Sequence, residues 1–430
     1  MDDRPVIIVG AGLAGLRCAG VLEERGVPWV LLESQDGPGG RVRTDYVDGF
    51  QLDRGFQVLL TAYPQARAAL DYEALDLRAF EPGAVVRLAD GFVRVSDPLR
   101  RPTRALATLR APVGSLGDKL RVARLRRRLR RMPLEQLWRR PERTTRDALA
   151  DLGFSTTMVE RFWRPLLAGI QLDASLTTSS RAFEFVIKML ASGDNALPAA
   201  GIQAIPDQLA AKLTPGRIRY GTTVVAVDTD GVWLEDGEHV RGRRVVVAVD
   251  GPTASRLVPA VPTPASSRVG CLYFAAERSP LDEPILVLNG EGTGPVNNLC
   301  VPSVVAPSYA PDGVSLVSVS VLDAAVEGAW APVSREGQPA GAPGAGDDGL
   351  ETAVRDQLRT WFGRRVDTWR LLRHYDIRHA QPRQRPPVLA TPMRQIDFDG
   401  LFCCGDHRDD ASINGALQSG ARTALVVAEA

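Results

Sequence analysis

Residues 6–33, VIIVGAGLAGLRCAGVLEERGVPWVLLE, carry two hydrophobic periods in one short span. An unbroken apolar run at 6–10 predicts a buried strand, apolar positions at helical spacing predict a helix over 13–25, and a second apolar run at 29–33 predicts another strand, ending in Glu33. Together they make one βαβ unit. Glycine-rich loops around short strands follow over 37–59. From 100 to 150 the pattern turns helical, with Val122, Leu125, Leu129 and Met132 spaced to share a face. Residues 218–250 have a strand–turn–strand rhythm with Asp-Gly turns at 230–231 and 236–237. Further β-type runs lie in 268–322, a helix is predicted at 350–362, and the last segment reads strand, loop, helix. The Gly, Pro and Ala-rich stretch 331–349 reads as a mobile surface loop.

The order alternates, so the N-terminal βαβ unit finds its partner strand only at the far end of the chain. The expected organisation is a discontinuous nucleotide-type domain from 1–75, 200–265 and 395–430, with a second domain from 76–199 and 266–394. At 430 residues there is ample chain for two cores.

Composition narrows the chemistry. The net charge is +1, and positive charge is almost all arginine, the three lysines being Lys119, Lys188 and Lys212. That balance, without interleaved aromatics, argues against nucleic-acid binding. The five scattered cysteines do not form a disulfide framework, and the four histidines show no ligand spacing, so no metal site is expected. The chain enters a strand at once, leaving no room for a signal peptide, and no apolar run has spanning length. The expectation is a cytoplasmic protein. The arginine-rich helical stretch 119–131 has two readings, a peripheral contact with anionic lipid or a domain helix with a solvated face.

Gly10, Gly12 and Gly15 form G-x-G-x-x-G between strand and helix. The first permits the tight turn, the second lets a pyrophosphate approach the backbone, and the third lets helix and strand pack closely. The helix N-terminus offers free N–H groups to phosphate. Glu33 stands where an acid accepts hydrogen bonds from ribose hydroxyls and repels a 2′-phosphate, which argues against NADP. In GPGGRVRT, Gly39 and Gly40 allow close backbone approach and Arg41 reaches for phosphate. No second G-x-G-x-x-G occurs, so no NAD(P)H module is expected.

G-x-G-x-x-G, the acid and G-G-R-x-x-T resemble the FAD-binding start of the flavin amine oxidase, protoporphyrinogen oxidase and phytoene desaturase superfamily. DGFQLDRGFQVL at 48–59 resembles its next block, TTVVAVDTDGVWLEDGEHVRGRRVVVAV its adenine-side strand, and GLFCCGDHRDDASINGALQSGARTA at 400–424 its closing block. The resemblance fades over 76–180 and 266–370. It implies an α/β fold: a discontinuous, glutathione-reductase-like (Rossmann-type) FAD-binding domain with an inserted mixed α+β substrate domain. It also implies FAD contacts at Gly10, Gly12, Gly15, Glu33, Gly40, Arg41, Val225, Gly405 and Asp406, with the helix from about Asn414 aimed at the flavin pyrimidine.

Around the flavin, His407, Arg54 and Gln57 are the candidate polar groups, and HAQPRQRPP at 379–387 resembles the superfamily's Ala-Leu-Pro segment with Gln381 in place of leucine. The lysine often set near flavin N5 in amine oxidases has no counterpart after Lys212. Cys403 and Cys404 read as core residues, so FAD is expected to be dissociable. The expected activity is dehydrogenation of a small, hydrophobic molecule by hydride transfer to flavin N5, with reoxidation by oxygen or a quinone. The alternatives are a flavin amine oxidase and an FAD-free lipid-binding protein resembling the Rab GDP-dissociation inhibitors.

Overall fold

The computed structural model describes residues 4–262, 265–322, 348–387, 397–398 and 400–429. Most of the predicted loop 331–349 lies outside the described residues. Its last two positions belong instead to the helix Asp348–Phe362, which starts two residues before the predicted 350.

The fold is α/β, with a Rossmann-type domain at its base. Its six-stranded sheet runs in the order Ile218–Arg219, Trp29–Leu32, Val6–Val9, Arg244–Val247, Leu401–Cys403, Asp397–Phe398. All neighbours are parallel except the last pair. The central strands are near-continuous apolar runs because both faces are covered, one by helices and the other by a three-stranded antiparallel sheet, Val224–Asp228, Gly231–Leu234 and His239–Arg241, with the helix Gly251–Leu257. The first helix, Leu13–Glu24, packs against the long C-terminal helix Ile413–Glu429. That contact is close because Gly420 lies on the first helix: a Cβ there would come within 2.1 Å of the Ala14 carbonyl oxygen.

A seven-stranded sheet forms the second large layer, in the order Arg370–Pro382, Ser266–Ala276, Ser315–Leu322, Val296–Cys300, Leu286–Asn289, Gly83–Leu88, Gly91–Ser96. Between Val269 opposite Ile377 and Ser267 opposite Gln381, one residue, Arg268, faces three, Arg378 to Ala380. This bulge bends the strand between Ile377 and Gln381. The intervening chain, about 102 to 192, is helical. In Leu116–Arg131, Leu125 and Leu129 are buried and Val122 is half-buried, while Arg124, Arg127, Arg128, Arg130 and Arg131 lie outward and Arg126 turns in to pair with Asp97. Ser115 and Asp118 close a capping box at its start, fixing where the helix begins.

Candidate active site

Backbone conformation builds the first part of the site. Gly10 has φ +103°, and its N–H donates to the Leu32 carbonyl, turning the chain sharply off the first strand. Gly15 is pressed onto this turn, for a Cβ there would sit 1.9 Å from the Gly10 oxygen. Gly12 is different: a Cβ there meets nothing within 4 Å. The helix it caps has no side-chain cap and no acid in its first turn, so no side chain takes its leading N–H groups. Gly39 and Gly40, both at positive φ, bring GPGGRVRT alongside, with Gly39 donating to the Ala11 carbonyl and bridging Gly12. Glu33 closes one end. It is buried, and its carboxylate accepts from Ala11 N at 2.6 Å and Gln35 N at 2.9 Å. Beside it a shallow pocket is lined by Gly221, Thr222 and Leu234. Val225 stands nearby in a bulge that skips it between Val224, opposite Leu234, and Ala226, opposite Trp233. It is exposed, so its side chain is not what holds the strand in place.

The other end is a cleft lined by Arg41, Asp250, Ser266, His379, Asp406 and His407. Arg41 meets Asp406 at 2.7 Å and donates to the Ala380 carbonyl at 2.9 Å. Burial opposes both charges, yet each partner overrides it: the Asp406 carboxyl is held below the usual carboxylate range and the Arg41 guanidinium is held charged. Gly405, at φ +150°, lets the chain turn into this acid, and its N–H donates to the buried Ser419 hydroxyl at 3.1 Å. His407 is buried, and burial pushes its pKa down to about 4, so it is neutral at physiological pH. Its Nε2 lies 3.6 Å from Cys403 Sγ, while Nδ1 has no partner among the described residues.

The remaining sequence candidates have local duties. Arg54 grips Asp45 through Nη2 at 2.9 Å, in a cluster joined by Tyr375, whose hydroxyl donates to the same carboxylate at 2.7 Å. Gln57 donates to the carbonyls of Arg41 and Arg54, tying the two loops together. Asn414 accepts from Gln65 N at 3.0 Å and anchors the start of the C-terminal helix. Cys403 and Cys404 are free thiols in the core, with pKa raised by burial.

Three residues carry more of the site than the sequence suggested. Gln384 is buried, donating to the Asp409 carbonyl at 2.8 Å and accepting from Ala411 N at 3.1 Å. Gln381 donates to the Ala411 carbonyl at 2.6 Å. Asp53 is buried and accepts from Thr44, Ile202 N and the Tyr309 hydroxyl, and burial raises its pKa to about 6. For Asp53 a signal existed: it is the acid of the D-x-G in QLDRGF. For Gln384 none did, because its partners are chosen by the fold.

A family model described as "Flavin containing amine oxidoreductase" matches residues 13–428. The chain belongs to that family. Its cofactor is FAD, and it is an oxidoreductase. The FAD-free reading falls with that assignment. Among curated proteins the chain is 26% identical to the coproporphyrinogen III oxidase of Propionibacterium freudenreichii, over 96% of this chain and 91% of that one. It is 29% identical to the zeta-carotene-forming phytoene desaturase of Myxococcus xanthus, over 59% of this chain and 54% of that one. Among solved structures, the cyclohexylamine oxidase of Brevibacterium oxydans superposes with a TM-score of 0.70 at 17% identity, over 99% of both chains, a likeness of fold. The residues present fit the family's cofactor: an uncapped helix N-terminus, open space before Gly12, a buried acid and a half-buried arginine together suit a dinucleotide.

Proposed function

We propose that FAD lies dissociably along the line from Glu33, past Gly12 and Gly40, to Arg41 and Asp406, and that the enzyme dehydrogenates a predominantly apolar organic molecule. When bound, the flavin supplies the acceptor for a hydride from a substrate C–H bond, to be regenerated by oxygen or a quinone-type compound. Glu33 holds ribose hydroxyls, and the first turn of the helix Leu13–Glu24 meets the pyrophosphate. Arg41, already turned toward the cleft by Asp406, adds a cation there. The loop Asp409–Ala411, clamped by Gln381 and Gln384, sets the start of the C-terminal helix, whose N–H groups favour negative charge on a neighbouring ring.

The position of the ammonium groups carries the substrate reading. Lys119 donates to the carbonyls of Leu109 and Ala111, Lys188 to those of Leu129 and Arg130, and Lys212 to that of Ala69. All three are occupied away from the cleft, and His407 is buried and neutral. Hydride removal from carbon needs no such group, whereas an amine substrate must first lose its ammonium proton. The test is anaerobic bleaching of the purified yellow enzyme by polyenes, porphyrinogens and amines. Bleaching by a polyene or porphyrinogen is the expected result. Bleaching by amines alone overturns the substrate reading, and a colourless protein that cannot be loaded with FAD overturns the cofactor placement.

A membrane contact is supported by a separate feature. Leu106, Leu109, Leu116 and Leu120 are exposed, the third by 62%. Along Leu116–Arg131 the same outward face continues through Arg124, Arg127 and Arg131. Among the described residues Arg110, Arg124, Arg127, Arg130 and Arg131 pair with no carboxylate, although most arginines nearby do. Leucines to enter a lipid boundary and uncommitted cations beside them suit an anionic bilayer. Vesicles containing phosphatidylglycerol should pellet the protein at low salt and phosphatidylcholine vesicles should not. Equal recovery in both supernatants sinks the membrane contact.

A further inference from the structure

Beside the cleft lie buried polar groups that no atom of the described residues satisfies. Ser267 is 1% exposed and its hydroxyl has no partner. Gln381 lies directly opposite it in the antiparallel register, so the two side chains share a face. Its Nε2 is spent on Ala411, and its buried Oε1 has no partner. Gln171, at the end of the helix Arg164–Gln171, is buried with both amide atoms unpartnered. Buried polar atoms left unpaired are costly and uncommon, and each calls for an explanation.

These groups border one apolar patch. Val269, two residues on from Ser267 along the strand, packs with Ala168 and Leu322, with Ile377 and Ala380 against them. Gln171 follows Ala168 by one helical turn, on the same face. The patch reaches the cofactor loops at two points. Ile377 fills the space that a side chain on Gly55 would need, at 2.6 Å, and Ala380 receives the Arg41 hydrogen bond. On the neighbouring register pair, Ser266 and Pro382 line the Arg41–Asp406 cleft itself. Successive strand residues face opposite sides, so Ser266 turns to the cleft and Ser267 to the patch, and the patch meets the cofactor loops through Ile377 and Ala380.

We infer that Gln171, Ser267 and Gln381 are the polar contacts of a substrate subsite floored by Val269, Leu322 and Ile377. The inference rests on the FAD placement proposed above and assigns the chemistry of what docks beside it. The subsite offers uncharged donors and acceptors over aliphatic carbon. It takes a neutral, mainly apolar molecule with one group able both to donate and to accept a hydrogen bond, such as a hydroxyl. An ammonium finds no carboxylate among the three.

The test is calorimetric titration of the FAD-loaded enzyme at pH 7 with 4-phenyl-1-butanol, butylbenzene and 4-phenylbutylamine, FAD content being measured separately from the visible band. The alcohol should bind about tenfold more tightly than either analogue, the worth of about one hydrogen bond. Ser267→Ala combined with Gln171→Leu should erase the preference for the alcohol over the hydrocarbon while keeping FAD content and melting temperature, since both groups lack partners in the free protein. Ser267→Ala alone, the milder change, should reduce the preference. A tighter ammonium probe, or an alcohol preference unchanged in these variants, overturns the subsite. A parent protein that shows no visible band after loading with FAD overturns the cofactor placement instead, whereas a parent that keeps the band but does not prefer the alcohol overturns the subsite alone.

Discussion

Gly12 and Gly15 stand three residues apart on one turn and are required for different reasons. At Gly15 an added methyl collides with the Gly10 carbonyl, so Gly15→Ala should destabilise the fold by about 1–3 kcal/mol in a denaturant melt. At Gly12 the same methyl enters open space. Gly12→Ala should therefore shift the melt of the FAD-free protein by less than about 1 kcal/mol, yet weaken FAD retention roughly tenfold or more, because the methyl stands where the pyrophosphate must approach. A Gly12→Ala protein that keeps FAD as the parent does would remove the phosphate from this turn. Both glycines were legible in the sequence because backbone requirements follow directly from the absence of Cβ. Arg54 shows the opposite case. Nothing in LDRGF announces that its guanidinium is held by Asp45, since that pairing depends on the hairpin in which Asp45 stands opposite Leu52.

At the scale of elements, the closing motif G-A-x-x-S-G has an architectural basis. Gly420 admits the first helix, Gly415 clears the Asp410 carbonyl, and Ser419 holds Gly405 N. These residues position the Gly405–Asp406 turn by fixing how the two helices cross. Gly420→Val should cost about 2–4 kcal/mol, since backbone on the facing helix must move, and should loosen FAD as a secondary effect. Retention of parental stability would mean that the helices slide apart freely. Element types near the two ends were legible from apolar period and glycine spacing. The clamp of Gln381 and Gln384 on Asp409–Ala411 was not, because a glutamine amide bonds wherever a carbonyl is presented, and only the assembled strand bulge presents these.

Across the whole molecule, Asp53 joins parts that are distant in sequence: Thr44 on its own hairpin, Ile202 before a helix, and Tyr309 beyond a strand of the large sheet. Its pKa, raised by burial from 3.8 to about 6, makes stability depend on pH in a definite direction. The folded protein holds this proton more tightly than the unfolded chain does. The associated stabilisation is therefore complete below about pH 4 and is lost as pH rises through 6, amounting to about 3 kcal/mol. Between pH 5 and 7 the parent should lose more stability than Asp53→Asn, measured by urea unfolding at each pH. Parallel curves for the two proteins would remove Asp53 from the linkage.

The order of the six-stranded sheet also has a consequence for biogenesis. Val245–Val247 pair on one side with the first strand and on the other with Leu401–Cys403, which emerges about 150 residues later. At ordinary translation speeds, roughly 5–20 residues per second, the nascent protein waits on the order of ten to thirty seconds with that edge unmade. Throughout this interval a run of valines, flat and apolar, is available to any other unpaired strand. The wait ends only when the second half of the cofactor cleft leaves the ribosome, so the protein passes its most aggregation-prone stage and becomes able to bind FAD at nearly the same moment.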